Sequence, residues 1–107
     1  MRNAKLSKLL PRLQKELHHI LGDRLEGIYL YGSQARGDAR QDSDIDVLIV
    51  MSGDFDYFQL LEITSDITWK LSLDNDVLIT RTFVSKEQFD LANTPFLMNL
   101  QREAVPV

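Results

Sequence analysis

Two stretches decide the fold: Gly32-Ser33-Gln34-Ala35-Arg36-Gly37-Asp38, and then Ser43-Asp44-Ile45-Asp46-Val47-Leu48-Ile49-Val50. The first stretch follows the strand-like run 28–31, and a glycine at the end of a strand lets the backbone approach a ligand closely. Ser33 offers a hydroxyl and an amide, and a helical turn from Gln34 onward would direct further free N–H groups at the same point. The first stretch therefore predicts a turn that binds an anion.

The second stretch opens with two carboxylates. Residues 47–50 are all aliphatic, which predicts a buried strand. Because side chains alternate along a strand, Asp44 and Asp46 are expected on the same face. Two unpaired carboxylates at this spacing repel each other unless hard cations, which favour oxygen ligands, neutralise them. The pattern predicts a divalent metal site at the head of this strand.

The combination of Gly32, Ser33, ten intervening residues, Asp44, one residue and Asp46 resembles the signature of the DNA polymerase β-like nucleotidyltransferase superfamily. The short chain is similar to the minimal nucleotidyltransferase (MNT) branch of that superfamily. The alternative is an ordinary Gly-Ser turn beside solvated aspartates, since such turns are common singly. Four fixed identities match by chance roughly once in a thousand such chains, at about 5–7% usage for each residue, which favours the resemblance.

The resemblance implies a third acidic residue on a neighbouring strand. Residues 74–76 are predicted to form a turn before a short buried strand at 77–79, which would give Asp76 the same setting as Asp44. Asp76 is therefore the candidate, and Asp74 is the alternative. The resemblance implies that the catalytic residues are Asp44, Asp46 and Asp76, and that the same three residues bind two Mg²⁺ ions. Asp76 would lie near the acceptor and act as the general base.

The resemblance also implies that Gly32 and Ser33 hold the β- and γ-phosphates of ATP. Arg36 is predicted either to clamp a phosphate, which its planar fork matches, or to pair with Asp38 or Asp42 as a structural tie. Many relatives carry a basic residue where this chain has Gln34. The phosphate-binding turn is therefore expected to be weaker here, or assisted differently.

The implied chemistry is transfer of AMP from ATP to a hydroxyl, with pyrophosphate leaving. In the MNT family this implies a protein adenylyltransferase that serves as the antitoxin of a HEPN/MNT toxin–antitoxin pair and modifies a tyrosine of its partner, a HEPN ribonuclease toxin. Two alternatives are a non-catalytic antitoxin that masks the toxin by binding, and a transferase acting on a small-molecule hydroxyl. Unpaired acids cost stability, which argues against a pure mask. The short chain disfavours the small-molecule transferase.

Length and composition restrict the number of domains, the location of the protein and the kinds of ligand it can bind. The length of 107 residues predicts a single domain, and the resemblance implies that it is a minimal nucleotidyltransferase domain, residues 1–107. The chain has no long apolar run and no secretion leader, so no membrane contact and a cytoplasmic location are expected. A net charge of −4, from 16 acidic and 12 basic residues, argues against direct nucleic-acid binding, although metals and arginines can meet a single nucleotide's charge locally. Zero cysteines exclude disulfides and thiolate zinc sites.

The periodicity predicts an α/β fold, and the resemblance implies a small mixed β-sheet flanked by helices, which is the polymerase β-like nucleotidyltransferase fold. Leucines and isoleucines at three- and four-residue steps predict an amphipathic first helix that ends at Gly22. Strands are predicted at 25–31, in a central position, and at 44–51, and a second helix at about 57–71. Trp69 in that helix is expected in the core rather than against a nucleobase.

The remaining predictions concern the first helix and the C-terminal third of the chain. Pro11 must kink the first helix or mark the first turn of its regular part. A basic stripe on this helix is either a solvated face or a docking surface for an acidic partner; it comprises Arg2, Lys5, Lys8, Arg12 and Lys15. His18 and His19 are predicted to be surface residues. A capping box at 85–88 and the pair Thr94-Pro95 each predict the start of a short helix.

Overall fold

The structure, a computed structural model, describes residues 4–36 and 44–107, and the side chains of all of these except residues 4, 5, 33 and 34. The helices are α1 (Ala4–Leu21), α2 (Ser33–Arg36), α3 (Tyr57–Asn75), α4 (Lys86–Leu91) and α5 (Pro95–Glu103). The strands are β1 (Leu25–Tyr31), β2 (Ile45–Met51), β3 (Ile79–Ser85) and β4 (Val105–Pro106). A short 3-10 turn, Gly22–Arg24, joins α1 to β1.

The four strands form one mixed sheet in the order β3-β2-β1-β4. β2 runs parallel to β3 and antiparallel to β1, and β4 pairs antiparallel with β1. This confirms the predicted fold class and the inner position of the first strand. Because of these directions, the carboxyl end of β1 meets the amino ends of β2 and β3, where Tyr31, Asp46 and Thr80 lie side by side in the register. We name this part of the molecule the site edge.

Helices cover both faces of the sheet. On one face α1 and α3 pack against alternate residues of β2, and the leucine stripe of α1 is almost inaccessible to solvent, as its spacing predicts. α4 and α5 cover part of the other face through a smaller cluster. β2 is buried from Ile45 to Met51 except at Asp46, because helices pack against both of its faces. Asp46, the carboxylate of this strand, therefore lies where the helices leave the sheet uncovered.

The observed start of several helices and strands agrees with the local sequence signals that predicted it. β1 spans the predicted residues, and α4 begins after a capping box in which Ser85 and Gln88 bind each other's backbone. Thr94 caps α5, whose first residue is Pro95. α1 continues through Pro11 without a break, and Gly22 follows it with a positive φ of 58°. His18 and His19 are exposed, as predicted.

The strand predicted at 77–79 is wrong, since β3 begins only at Ile79 and runs to Ser85. α3 continues to Asn75, and Asp76 ends it in the left-handed conformation, with φ 52° and its N–H donating to the carbonyls of Leu73 and Ser72. Aspartate tolerates this conformation better than most residues do. Residues 77 and 78 therefore complete a chain reversal, and Asp76 is a helix cap instead of the strand-entrance residue that was expected.

The prediction that Trp69 lies in the core is also wrong, because its side chain is 63% exposed. The buried stripe of α3 contains Thr64 and Thr68, whose hydroxyls donate to the carbonyls four residues earlier, those of Leu60 and Thr64. These hydrogen bonds satisfy both hydroxyls and allow the threonines to face the sheet. Trp69 consequently points to solvent. Within the ranges described, no helix has the length and apolarity needed to cross a membrane.

Candidate active site

The turn at the end of β1 is built around Gly32. This residue has a φ of 73°, a left-handed conformation that glycine adopts without steric cost. Its carbonyl accepts a hydrogen bond from the N–H of Arg36 at 3.1 Å, which closes the single helical turn of α2. A Cβ added at Gly32 would overlap Oδ2 of Asp46. The predicted glycine turn is therefore present, and it lies directly against one of the predicted carboxylates.

Asp46 is the central side chain of the candidate site. It is half-buried in β2, between Tyr31 of β1 and Thr80 of β3 in the sheet register. Its Oδ1 accepts a hydrogen bond from Oγ1 of Thr80 at 2.5 Å, while its Oδ2 faces Gly32. Both carboxylate oxygens thus have a defined neighbour, although the nearest strand position carries a threonine instead of a third acid.

Asp44 lies at the same edge, immediately before β2, and is exposed. It lines a pocket of about 390 Å³ together with the end of α3 and the segment that follows it. The N–H of Ile45 donates to the carbonyl of Leu78 at 2.8 Å, which attaches the head of β2 to that segment. Asp76 lines the same pocket and is also exposed. The structure therefore brings Asp44 and Asp76 to one pocket.

The structure does not bring the three predicted acids into one compact cluster. In the part of the chain that is described, no three histidine, aspartate or glutamate side chains are grouped so that they could hold a metal ion. Asp44 and Asp46 nevertheless supply carboxylate oxygens, the donors that Mg²⁺ prefers, at the open end of the sheet. The donor chemistry of these two residues suits a divalent ion. The role of Asp76 as a third ligand stays a prediction.

Asp74, the alternative third acid, points towards α1. Its Oδ2 lies 3.8 Å from Nη1 of Arg12, and both side chains are about half exposed. An exposed pair of this kind contributes little to stability, roughly 0–1 kcal/mol. The contact nevertheless directs Asp74 away from the pocket that contains Asp44.

Arg36 and Ser33 complete the predicted phosphate-binding residues. The Nη1 atom of Arg36 lies 3.6 Å from Oε2 of Glu103, the last residue of α5. This ion pair connects the glycine turn to the C-terminal helix. The partners considered for Arg36 from the sequence, Asp38 and Asp42, lie outside the described residues. The backbone of Ser33 begins α2, one residue before the helical turn considered from Gln34 onward, and its side chain is outside the described set.

Sequence reasoning missed an exposed apolar patch beside Asp44. Trp69, Leu73 and Leu78 are 63%, 64% and 51% exposed, and all three line the pocket of Asp44 and Asp76. Trp69 and Leu73 are four residues apart on α3, so they lie on one helix face. That spacing is the signal that could have revealed the patch. We name these three residues the Trp69 patch.

Arg81 holds α3 against the edge strand. Its Nη1 donates to the carbonyl of Leu61 at 2.9 Å and to the hydroxyl of Thr64. Partial burial lowers the pKa of Arg81 from its ordinary value, yet an arginine remains protonated near neutral pH. The half-buried guanidinium therefore keeps both hydrogen bonds and fixes the helix that carries Trp69 relative to the strand that carries Thr80.

A larger pocket, of about 840 Å³, lies at the other end of β3. It contains none of the site residues predicted from the sequence. Its lining includes Phe55, Tyr57 and Phe83, whose rings contact one another, together with parts of α4 and α5. Size alone therefore does not identify the chemical site, and the carboxylates direct attention to the smaller pocket.

Comparisons with known proteins agree with the fold. The family model described as "Polymerase beta, Nucleotidyltransferase" matches residues 14–93. Among curated proteins, "Putative protein adenylyltransferase MJ0604" of Methanocaldococcus jannaschii is 43% identical over 67 residues. The match covers 63% of this chain and 61% of that protein, so it spans less than two thirds of the relative's length.

Two solved structures share the fold. One, described as "Structure of putative minimal nucleotidyltransferase", has a TM-score of 0.57 and 25% identity, and the match covers 100% of this chain and 97% of that chain. Another, described as "Crystal structure of the toxin-antitoxin with AMP-PNP", has a TM-score of 0.56 and 20% identity, with 89% of this chain and 69% of that chain covered. At this identity the second likeness concerns the fold alone.

Proposed function

Because the chain belongs to the polymerase beta nucleotidyltransferase family, we propose that it transfers AMP from ATP to a tyrosine hydroxyl of a HEPN-type ribonuclease toxin. The protein would thereby inactivate the toxin and act as its antitoxin. The observation that carries this proposal is the carboxylate of Asp46, held between Gly32 and Thr80 at the edge where Asp44 also lies. Because the proposed reaction requires ATP, we also propose a cytoplasmic location.

The names of similar proteins support the reaction and, more generally, a toxin as the partner. The relative from Methanocaldococcus jannaschii is named as a protein adenylyltransferase, and one structural neighbour is a toxin–antitoxin complex with AMP-PNP. Both descriptions concern those proteins. They agree with the chemistry that the site edge of this chain offers, which is why we extend them to it.

We propose that Asp44 and Asp46 hold Mg²⁺, with two ions at the complete site and Asp76 as the third ligand. Bound Mg²⁺ would neutralise the triphosphate and polarise the reacting phosphate. The chain's own contribution is positional. Because Gly32 has no Cβ, the Asp46 carboxylate lies directly against the turn. Ser33 and the free N–H groups of the turn would donate hydrogen bonds to the phosphate oxygens.

The transfer forms a bond between the tyrosine oxygen and the α-phosphorus of ATP. The bond from that phosphorus to the oxygen bridging to the β-phosphate breaks, and pyrophosphate leaves. The phenolic proton passes to a carboxylate, for which Asp76 is the proposed general base. Asp76 shares a pocket with Asp44 and is exposed to an approaching acceptor, which supports this assignment.

The Trp69 patch supports a protein acceptor over a small molecule. Exposed apolar side chains grouped at one place are typical of protein–protein contacts, in which tryptophan often dominates the binding energy. The patch lines the pocket of Asp44, so a partner that covered it would present its surface next to the proposed reaction site. A small alcohol would need no such patch.

Intact mass of the toxin tests the proposal. A purified HEPN protein encoded beside this chain would be incubated with the protein, ATP and Mg²⁺, and its mass compared with that of a sample lacking ATP. We expect an increase equal to one or more AMP groups, located on tyrosine by fragmentation. An unchanged toxin mass, together with full neutralisation of the toxin, would support the mask and contradict the transferase.

A further inference from the structure

The register of β2 and β3 places Thr80 beside Asp46. The two strands run parallel, and these residues face each other as register partners although they are 34 positions apart in the sequence. The Thr80 hydroxyl donates to Oδ1 of Asp46 at 2.5 Å, and both residues are half-buried. A hydrogen bond to an ionised acceptor at this distance is among the stronger ones in proteins.

The second oxygen of Asp46 is constrained from the opposite side. Oδ2 lies against Gly32, in the space that a Cβ would occupy. The last torsion of an aspartate is soft, so a carboxylate without neighbours samples a broad range of orientations. Here the Thr80 hydroxyl and the Gly32 backbone hold the carboxylate plane from two sides. The orientation of the Asp46 carboxylate is therefore fixed.

We propose that Thr80 is a positioning residue, which orients the Asp46 carboxylate for the cation that accompanies the nucleotide. The inference rests on the proposed function, since it assumes that Asp46 binds a metal. Thr80 occupies the position on β3 nearest to Asp46, and a third carboxylate there would repel it at close range. A hydroxyl donor at this position organises Asp46 without adding that repulsion.

Two variants of Thr80 separate orientation from folding. Thr80→Val keeps the branched shape and removes the hydroxyl, whereas Thr80→Ser keeps the hydroxyl. Thr82→Val is the matched control, because Thr82 lies two residues along the same strand and its hydroxyl bonds to Tyr31 at 2.9 Å instead of to an acid. Thr80→Ala, a second variant without the hydroxyl, serves if the valine variant does not fold.

Mn²⁺ is the probe, because it takes oxygen ligands and its free concentration can be followed by electron paramagnetic resonance. We expect Thr80→Val to weaken Mn²⁺ binding in the presence of ATP roughly tenfold, the effect of losing a hydrogen bond to a charged group. Thr80→Ser and Thr82→Val should retain the parent affinity. Melting temperatures recorded on the same samples report folding.

Each result of these measurements either supports or overturns the proposed role of Thr80. Parent-like Mn²⁺ affinity in Thr80→Val overturns the inference, and so does equal weakening in the valine and serine variants. Unfolding of both the valine and the alanine variants would show that Thr80 is a structural residue, which also overturns it. Absence of Mn²⁺ and ATP binding in the parent protein would instead contradict the proposed function, so the two failures are distinguishable.

Discussion

Gly32 and Asp46 fit together so closely that a side chain at position 32 would overlap the carboxylate at position 46. The two residues come from the end of β1 and the start of β2, which are antiparallel neighbours in the sheet. The residue at position 32 must therefore adopt a positive φ and have no Cβ in the space that the Asp46 carboxylate occupies. Only glycine meets both, because every other residue brings a Cβ.

Gly32→Ala tests this contact. Alanine is strained at a positive φ, at a cost of roughly 1–2 kcal/mol, and its Cβ would displace the Asp46 carboxylate. We expect Mg·ATP affinity, measured by calorimetry, to fall by more than about tenfold. Gly22→Ala is the control, since Gly22 has a similar positive φ of 58° but nothing within 4 Å of an added Cβ. Equal loss of ATP affinity in both variants would assign the effect to backbone strain.

ATP binding should depend on magnesium. Without a cation the triphosphate would face the carboxylates of Asp44 and Asp46, and like charges only a few ångströms apart repel strongly. Calorimetric titration of ATP with Mg²⁺, and again with EDTA, measures the difference. Equal affinity under the two conditions would contradict the proposal that a metal bridges the protein and the nucleotide.

Asp44→Asn combined with Asp46→Asn should abolish AMP transfer while leaving the protein's surface shape almost unchanged. Asparagine keeps the side-chain size and removes the charge that attracts the metal, so the rate should fall by orders of magnitude. The measurement is growth of cells that co-express the toxin, together with the toxin's intact mass. An enzyme predicts persistent toxicity and an unmodified toxin.

The control for that experiment is Asp54→Asn combined with Glu87→Gln. Both of these residues are exposed and line the larger pocket at the other end of β3, so the change in charge is matched but lies away from the site edge. The control should neutralise the toxin as the parent does. If the double asparagine variant also neutralises the toxin without modifying it, the protein acts as a mask.

Trp69→Ala combined with Leu73→Ala should weaken binding of the partner and leave Mg·ATP affinity within about twofold of the parent. Both side chains are mostly exposed, so their removal should change the melting temperature little. Phe58→Ala is the control, because Phe58 is 80% exposed near the other end of α3. A large loss of ATP affinity in the double variant would place the nucleobase on Trp69 instead.

The single tryptophan offers an independent readout in the parent protein. Trp69 lies at the rim of the pocket that contains Asp44, so a partner that covers it should shift its emission to shorter wavelength. Titration of toxin into the protein, with the emission spectrum recorded at each step, measures this shift. Unchanged emission on formation of the complex would show that the partner docks elsewhere.

The sequence by itself determined the elements whose cause is local. The apolar pattern of 25–31 predicted β1 in full, and the caps at Ser85 and Thr94 predicted where α4 and α5 begin. These features depend on hydrogen bonds between residues three positions apart, or on alternation within one strand. The glycine turn and the two carboxylates could also be identified, because the motif lies within fifteen consecutive residues.

Only the tertiary structure decided what depends on contacts between distant segments. Whether Trp69 is buried depends on which side of α3 meets the sheet, and the hydrogen-bonded threonines settle that. The end of α3 at Asp76 moved the start of β3 to Ile79, and the pairing of β3 with β2 then set Thr80 beside Asp46. Strand pairing between residues 34 positions apart is set by packing of the whole sheet, which no local pattern encodes.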